Sequence, residues 1–312
     1  MKIEPIGTEA PDLSVVVALI AGGQEPVRNC LDSLKSTVNG VRMQCIVPYD
    51  DRLPAVDELR VQFPWALFVD ARNDVKRFRL SHFSREHHDI LRSAGLRLAD
   101  GNVVALIEDH AVPGSRWLQT VVDSHRKQPD AAIGGAVENG VDRLLNWAVY
   151  YCDFGRYQNP VSTGCVEFAS DSNIAYKRRA LEKTRHLWSN VFNETTVNWE
   201  LVRLGQTLRL NPDQVVFQTR TDLSFVPALI ERFVWGRSFA ASRVAEASFG
   251  KRWIRAASCL PLPVLLTWRV FRTALSKGRH LDRLVMAMPL VFLLEIIWSF
   301  GEFAGYVTGK AD

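Results

Sequence analysis

A chain of 312 residues carries enough apolar material for one large domain or two modest ones, and its mild net charge of +4 demands no nucleic-acid partner. Its five cysteines form no CxxC pair and are odd in number, which excludes a disulfide framework or a zinc site and suits buried thiols in a reducing compartment. The opening MKIEPIGTEAPD has no apolar core, so no secretory leader is expected.

The first apolar run, LSVVVALI from Leu13 to Ile20, is too apolar for a sheet with one wet face and predicts a buried strand with helices on both sides. Ala21-Gly22-Gly23 then reads as a turn, because neither G-x-G-x-x-G nor a P-loop is present. Val27, Leu31 and Leu34 have helical spacing within residues 25–36. Met43–Pro48 predicts a second strand that ends in Tyr49-Asp50-Asp51, and Ala66–Val69 a third, followed by Asp70. Between Asp74 and His88 the chain turns basic and histidine-rich and reads as a loop: a solvated face, or an electrostatic funnel for an anionic substrate. Ile90–Ala99 predicts a helix stopped by Asp100-Gly101.

Val103–Ile107 is five apolar residues in a row, a buried strand that breaks into Glu108-Asp109-His110 before Pro113-Gly114. Open α/β sheets bind ligands at the carboxyl ends of such strands. Carboxylate oxygens suit Mg2+ or Mn2+, and imidazole is tolerated by Mn2+; the plainer reading is a solvated turn. The pattern to this point is β-α-β-β-α-β, an α/β nucleotide-binding half.

Further on, Trp117–Lys127 predicts a helix, Ala132–Val137 a strand, and Val141–Tyr151 an aromatic amphipathic segment. Phe168–Asn173 leads into Ile174-Ala175-Tyr176 and a helix from Arg178 to Thr184. Asn193-Glu194 opens a helix closed by Gly205, and Leu208–Leu210 and Val215–Phe217 read as two short strands. After about residue 225 the character changes. Ile230–Arg243 is helical, and residues 256–271 and 284–301 are apolar runs joined by a basic connector. The second approaches the ~20 residues of a spanning helix but holds Pro289 and Glu295; the first holds Pro261, Pro263 and Arg269. Basic residues flank both runs, so two full crossings would strand one basic group on the outer side. Helices lying in, or dipping into, the cytoplasmic leaflet avoid that, while a buried hairpin of core helices is the soluble alternative.

The opening strand, Asp50, RSAGLRLADG (Arg92–Gly101), the acidic cluster before P-x-x-x-W-L, SDSNIAYKRRAL (Ser170–Leu181) and Asn193-Glu194 ahead of Gly205 together resemble the family-two glycosyltransferases of GT-A fold, over about Leu13–Thr219. The closing IIWSFGEFAGYVTG resembles the tail of bacterial membrane-associated members. The resemblance implies a Rossmann-like mixed sheet flanked by helices, a catalytic domain over residues 1–225, and an apolar, membrane-associating helical region over 226–312. It also implies inverting transfer of a sugar from a nucleoside-diphosphate donor, assisted by Mn2+ or Mg2+, to a lipid-linked or envelope acceptor at the cytoplasmic face of a bacterial inner membrane. Where the family usually has Asp-x-Asp, this chain has Glu108-Asp109-His110, so His110 becomes the expected direct metal ligand. Glu108 joins it as metal ligand or, with Asp109, contacts the ribose. Asp50 matches the base contact (or is a turn residue), Arg92 a diphosphate contact (or an exposed helix residue), and Asp171 and Asn173 donor or acceptor contacts. Glu194 matches the general base, where Asp is more usual; a favourable charge at a helix N-terminus is the compatible alternative. Arg232 and Arg237 are candidates for a diphosphate clamp, with a membrane-facing basic stripe as the alternative for Arg237 and Arg243. The Gln-x-x-Arg-Trp of processive relatives is missing, which implies non-processive transfer. The reading from another class is a decayed domain kept as a membrane-bound scaffold.

Overall fold

The computed structural model describes residues 10–19, 23–37, 40–78, 85–244 and 248–310. By internal contacts the chain forms two compact units: Met1–Asp74 with Asp89–Gly135 and Ser162–Val216, and Val75–His88 with Ala136–Val161 and Phe217–Asp312. The units interleave along the chain, where the sequence reading divides it once, at residue 225.

The elements run β1 (Leu13–Ala18), α1 (Gln24–Thr37), β2 (Met43–Tyr49), α2 (Val56–Gln62), β3 (Ala66–Asp70), α3 (Arg72–Arg77), α4 (Arg85–Leu96), β4 (Val103–Glu108), β5 (Ala111–Pro113), α5 (Trp117–Lys127) and β6 (Ala132–Asn139). After α6 (Leu144–Asp153) come β7 (Cys165–Val166), β8 (Asn173–Lys177), α7 (Arg178–Glu182), α8 (Arg185–Trp188), α9 (Glu194–Arg203) and β9 (Leu208–Gln218). Helices α10 (Phe225–Arg243), α11 (Phe249–Ala257), α12 (Leu262–Lys277) and α13 (Leu281–Thr308) complete the chain.

The strands form one mixed sheet in the order β3-β2-β1-β4-β8-β6-β9-β5, with β7 paired to β9. β3, β2, β1 and β4 are parallel; β8 runs antiparallel to β4 and to β6. Every residue of β1 and β4 is buried, as continuous apolar strands in a doubly covered sheet must be. Helix α4 comes down closely on this sheet because Gly95 has no side chain: a Cβ there would stand 2.4 Å from Cγ1 of Val16.

Several expectations are corrected. The β-α-β-β-α-β start is instead β-α-β-α-β-α-α-β, since α2 buries only Leu59 and α3 buries nothing, leaving no apolar stripe to read. The basic stretch from Asp74 to His88 is not all loop: Asp74–Arg77 closes α3 and Arg85–His88 opens α4, while residues 79–84 lie outside the described residues, as do Ile20 and Ala21-Gly22 of the predicted first strand and turn. The two short strands after Gly205 are one strand, β9, running through Pro212, whose fixed φ suits extended backbone. The apolar run of residues 256–271 is divided: α11 stops at Ala257, and α12 starts after Pro261 with Pro263 in its first turn. Residues 284–301 lie inside the longer α13, Pro289 included.

Within the second unit, α10 and α13 meet backbone to backbone. A Cβ on Gly301 would stand 2.2 Å from the Phe233 carbonyl oxygen, and one on Gly305 2.3 Å from that of Arg237. Small residues are what permits such an approach. Among the described residues α13 alone is long and apolar enough to cross a membrane by itself; α11 and α12 meet that standard only when taken together, across a 60° bend.

Candidate active site

The carboxyl end of β4 carries a dense cluster of charge, and local structure explains how each group arrives there. Parallel pairing sets Glu108 beside Ala18 of β1, and the Asp109 amide donates to the Ala18 carbonyl at 2.9 Å. Antiparallel pairing sets Asn173 opposite Ile107, so the turn just before β8 delivers Asp171 and Ser172 to the same strand end. Asn193 caps α9, its side chain accepting from the Thr196 amide, and this fixes Glu194 in the first turn. Phe192 N donates to Asp89 O and Ser93 Oγ to Trp188 O, tying the segment before α9 to α4.

Arg92 is the hub. Only 3% exposed, it contacts Asp171 Oδ2 at 2.9 Å, Asp89 Oδ1 at 3.1 Å and Glu108 Oε1 at 3.4 Å. It is therefore not an exposed helix residue. Desolvation opposes its charge, but Asp171, Asp89, Glu108 and Glu194 outweigh that and hold its pKa above the ordinary value. Glu194 Oε2 accepts from the Asp171 amide at 2.9 Å, and Ser172 Oγ donates to Glu108 Oε1 at 2.8 Å.

His110 is buried between carboxylates, with Nδ1 3.0 Å from Asp109 and Nε2 3.2 Å from Glu108 Oε2. Burial lowers its pKa, yet the hydrogen bonds to Asp109 and Glu108 carry it up to about 9. At neutral pH it is an imidazolium. Asp89, Glu108, Asp109, Asp171 and Glu194 thus surround two cations, Arg92 and His110, and the excess of negative charge favours a further cation.

Among the described residues no three His, Cys, Asp or Glu side chains converge as a ready-made metal cage. The donor pair nevertheless fits a divalent ion. Glu108 Oε2 and His110 Nε2 are 3.2 Å apart, close to the ~3.0 Å edge of an octahedron with bonds of about 2.1 Å. Glu108 and His110 would hold such an ion only with His110 neutral, because a ligating imidazole nitrogen carries no proton.

The remaining predicted residues lie elsewhere. Asp50, at the end of β2, accepts from Arg52 N at 3.0 Å and Arg52 Nε at 3.2 Å, while Arg52 also donates to the Leu19 carbonyl. It lines a cavity of about 370 Å³ with Tyr49, Asp51, Asp57, Arg60 and Arg72. A larger cavity of about 820 Å³ opens at the opposite strand ends, beside Asp12, Asn102 and Lys177, and none of the predicted site residues lines it. Asn173 is wholly buried; its amide accepts from Trp117 Nε1 and Gln214 Nε2 and donates to Gln214 O.

Arg232 and Arg237 belong to the helical unit. Arg232 is ion-paired with Asp153 and with Glu295 at 3.2 Å and lies 4.8 Å over the Trp298 ring. Its guanidinium neutralises carboxylates that burial pushes upward in pKa, a structural task. Arg237 Nε donates to the Lys310 carbonyl. Asp89 and Ser172 went unread in the sequence. Asp89 stands one helical turn before Arg92, the spacing of an ion pair, and that was the available signal.

The sequence pattern of glycosyl transferase family 2 matches residues 26–185, just over half of the chain. A glucosyl-dolichyl phosphate glucuronosyltransferase from Haloferax volcanii is 45% identical over 99 residues, 28% of this chain. That match spans 30% of the relative, under a third of its length. A mannosyltransferase from Pyrobaculum calidifontis, solved in complex with GDP-Man and Mn2+, aligns over 97% of this chain and 86% of its own at 14% identity and a TM-score of 0.49.

Proposed function

From a chain that belongs to glycosyl transferase family 2, we propose an enzyme that moves a sugar, with inversion and non-processively, from a nucleoside-diphosphate donor to a lipid-linked acceptor. The observation that carries this reading is the buried junction of Arg92 with Asp89, Glu108 and Asp171, joined to Glu194 through the Asp171 amide. It brings a candidate base within one hydrogen bond of a charge cluster suited to a cation-bridged diphosphate.

Glu194 takes the proton of the acceptor hydroxyl, and the Asp171 amide holds its other position in space. Arg92 holds Asp171 and Glu108 in place through its ion pairs with both. Asp50 and its cavity receive the base and ribose of the donor. Glu108 and His110 would hold Mn2+ or Mg2+, which would offset the charge developing on the diphosphate. The name of the Haloferax volcanii relative, which acts on a glucosyl-dolichyl phosphate, supports a lipid-linked acceptor here. An apolar helical unit on the cytoplasmic face of the membrane agrees with that acceptor, while a bacterial origin rests on the resemblance of the tail alone.

Calorimetric titration of UDP and of GDP into the full chain, with and without Mn2+ and beside His110→Ala, tests the reading. Metal-dependent binding that disappears in the variant is expected. A folded protein that binds no nucleoside diphosphate would favour the scaffold reading.

A further inference from the structure

The helical unit presents its apolar surface in an ordered way. Helix α11 is fastened on one side. Arg252 donates to the Tyr306 and Val307 carbonyls at the end of α13, Arg255 to the Arg243 carbonyl at the end of α10, and Ala256 enters a small core with Ala240, Val244 and Tyr306. These anchors turn the other side outward, where Phe249 and Ile254 are each 73% exposed and Trp253 stands between them. Beyond the helix, Leu260 is 86% exposed at the 60° bend, and Val264, Leu265 and Trp268 are exposed along the next limb.

The order of side chains is similar on both limbs. Counting outward from Leu260, the tryptophans come at Trp253 and Trp268, seven and eight residues away, and exposed cations at Lys251 and Arg269, nine residues away on each side. Arg272 follows one turn later. An apolar tip, then an indole, then a cation is the sequence of environments met on leaving a bilayer: acyl chain, interface, anionic headgroup.

We infer that the bend between α11 and α12 is a wedge inserted in one leaflet of an anionic phospholipid bilayer, with Leu260 at its deepest point. Limbs that diverge equally from a 60° bend lie about 60° from the membrane normal, and nine residues at 1.5 Å per residue then give a depth of about 7 Å. That depth places Leu260 among the upper acyl carbons and the cations at the phosphates. The wedge needs no crossing of the bilayer by α11 or α12. It rests on the membrane setting of the proposed function and specifies the surface that makes the contact.

The full chain, freed of detergent, would be floated with vesicles of phosphatidylcholine alone and of phosphatidylcholine with one third phosphatidylglycerol. The wild type is expected to float with the anionic vesicles. Leu260→Asp and Ile254→Asp should weaken that partitioning about ten- to a hundredfold, as expected for losing one buried aliphatic side chain. Lys251→Glu with Arg269→Glu should abolish the preference for phosphatidylglycerol. These positions are exposed, so melting curves should match the wild type. Flotation unchanged in the aspartate variants overturns the wedge, and so does a stable dimer that sheds vesicles, which would make a second copy the occupant. Nucleotide binding measured in parallel separates the two readings. Binding without flotation removes the wedge alone, whereas flotation without binding removes the transfer reaction alone.

Discussion

Replacing Arg92 by Met preserves most of the aliphatic length and removes the charge. Three carboxylates, Asp89, Glu108 and Asp171, then lose their common partner within 3.4 Å in a buried setting. Breaking a buried ion pair from one side costs roughly 3–5 kcal/mol. At roughly 2–4 °C per kcal/mol for a domain of this size, the melting temperature should fall by about 6–20 °C at neutral pH. The direction with pH follows from the cause: acid protonates the orphaned carboxylates, so the gap between wild type and variant should narrow on acidification. Arg92→Lys should recover part of the loss, since one ammonium cannot serve all three carboxylates. Thermal melts by circular dichroism at neutral and mildly acidic pH read all of this. A fall of under about 1 kcal/mol, or a gap independent of pH, would refute the assignment of Arg92 as the hub.

Glu194→Gln keeps an acceptor for the Asp171 amide but cannot take a proton, so turnover should fall about 10²–10⁴-fold with melting unchanged, measured by nucleoside-diphosphate release beside a melting curve. His110, raised from 6.5 to about 9 in the folded protein, stabilises fully below 6.5 and loses that contribution as pH rises through 9. Urea unfolding of wild type and His110→Gln should therefore show a gap that shrinks with rising pH, by about 3 kcal/mol over the whole range. Gly301→Ala places a methyl group against the Phe233 carbonyl at 2.2 Å, and the helices must part; a loss of roughly 1–3 kcal/mol is expected in chemical denaturation.

The strands were legible where burial on both faces wrote them as unbroken apolar runs, as in Leu13–Ala18 and Val103–Glu108. Helices α2 and α3 were not, because they bury almost nothing and their sequences have no stripe. Charged candidates such as Arg92, Glu108, Asp171 and Glu194 could be picked out by the family resemblance, but which of them would pair could not. Asp171 lies 79 residues from Arg92, and only the antiparallel pairing of β8 with β4 brings it near. Glu295 gave a clear warning, a carboxylate in an apolar run, yet nothing in the sequence said that Arg232 and Asp153 would answer it. Apolar patterning is a local property; the pairing of buried charges is set by topology.

The antiparallel insertion of β8 beside β4 has a consequence for how such an enzyme diversifies. Glu108 at the end of β4 and Asp171 just before β8 are two of the carboxylates that Arg92 joins, and pairing of the two strands sets the distance between them. Between them the chain from Gly114 to Ala169 runs out through α5, β6, α6 and β7 and returns. Strand β6 pairs with β8 and Trp117 of α5 bonds Asn173, so these are tied to the sheet. Lengthening the loops between the elements adds entropy only logarithmically, however, and those loops can be rebuilt for a new acceptor while the chemistry stays in register.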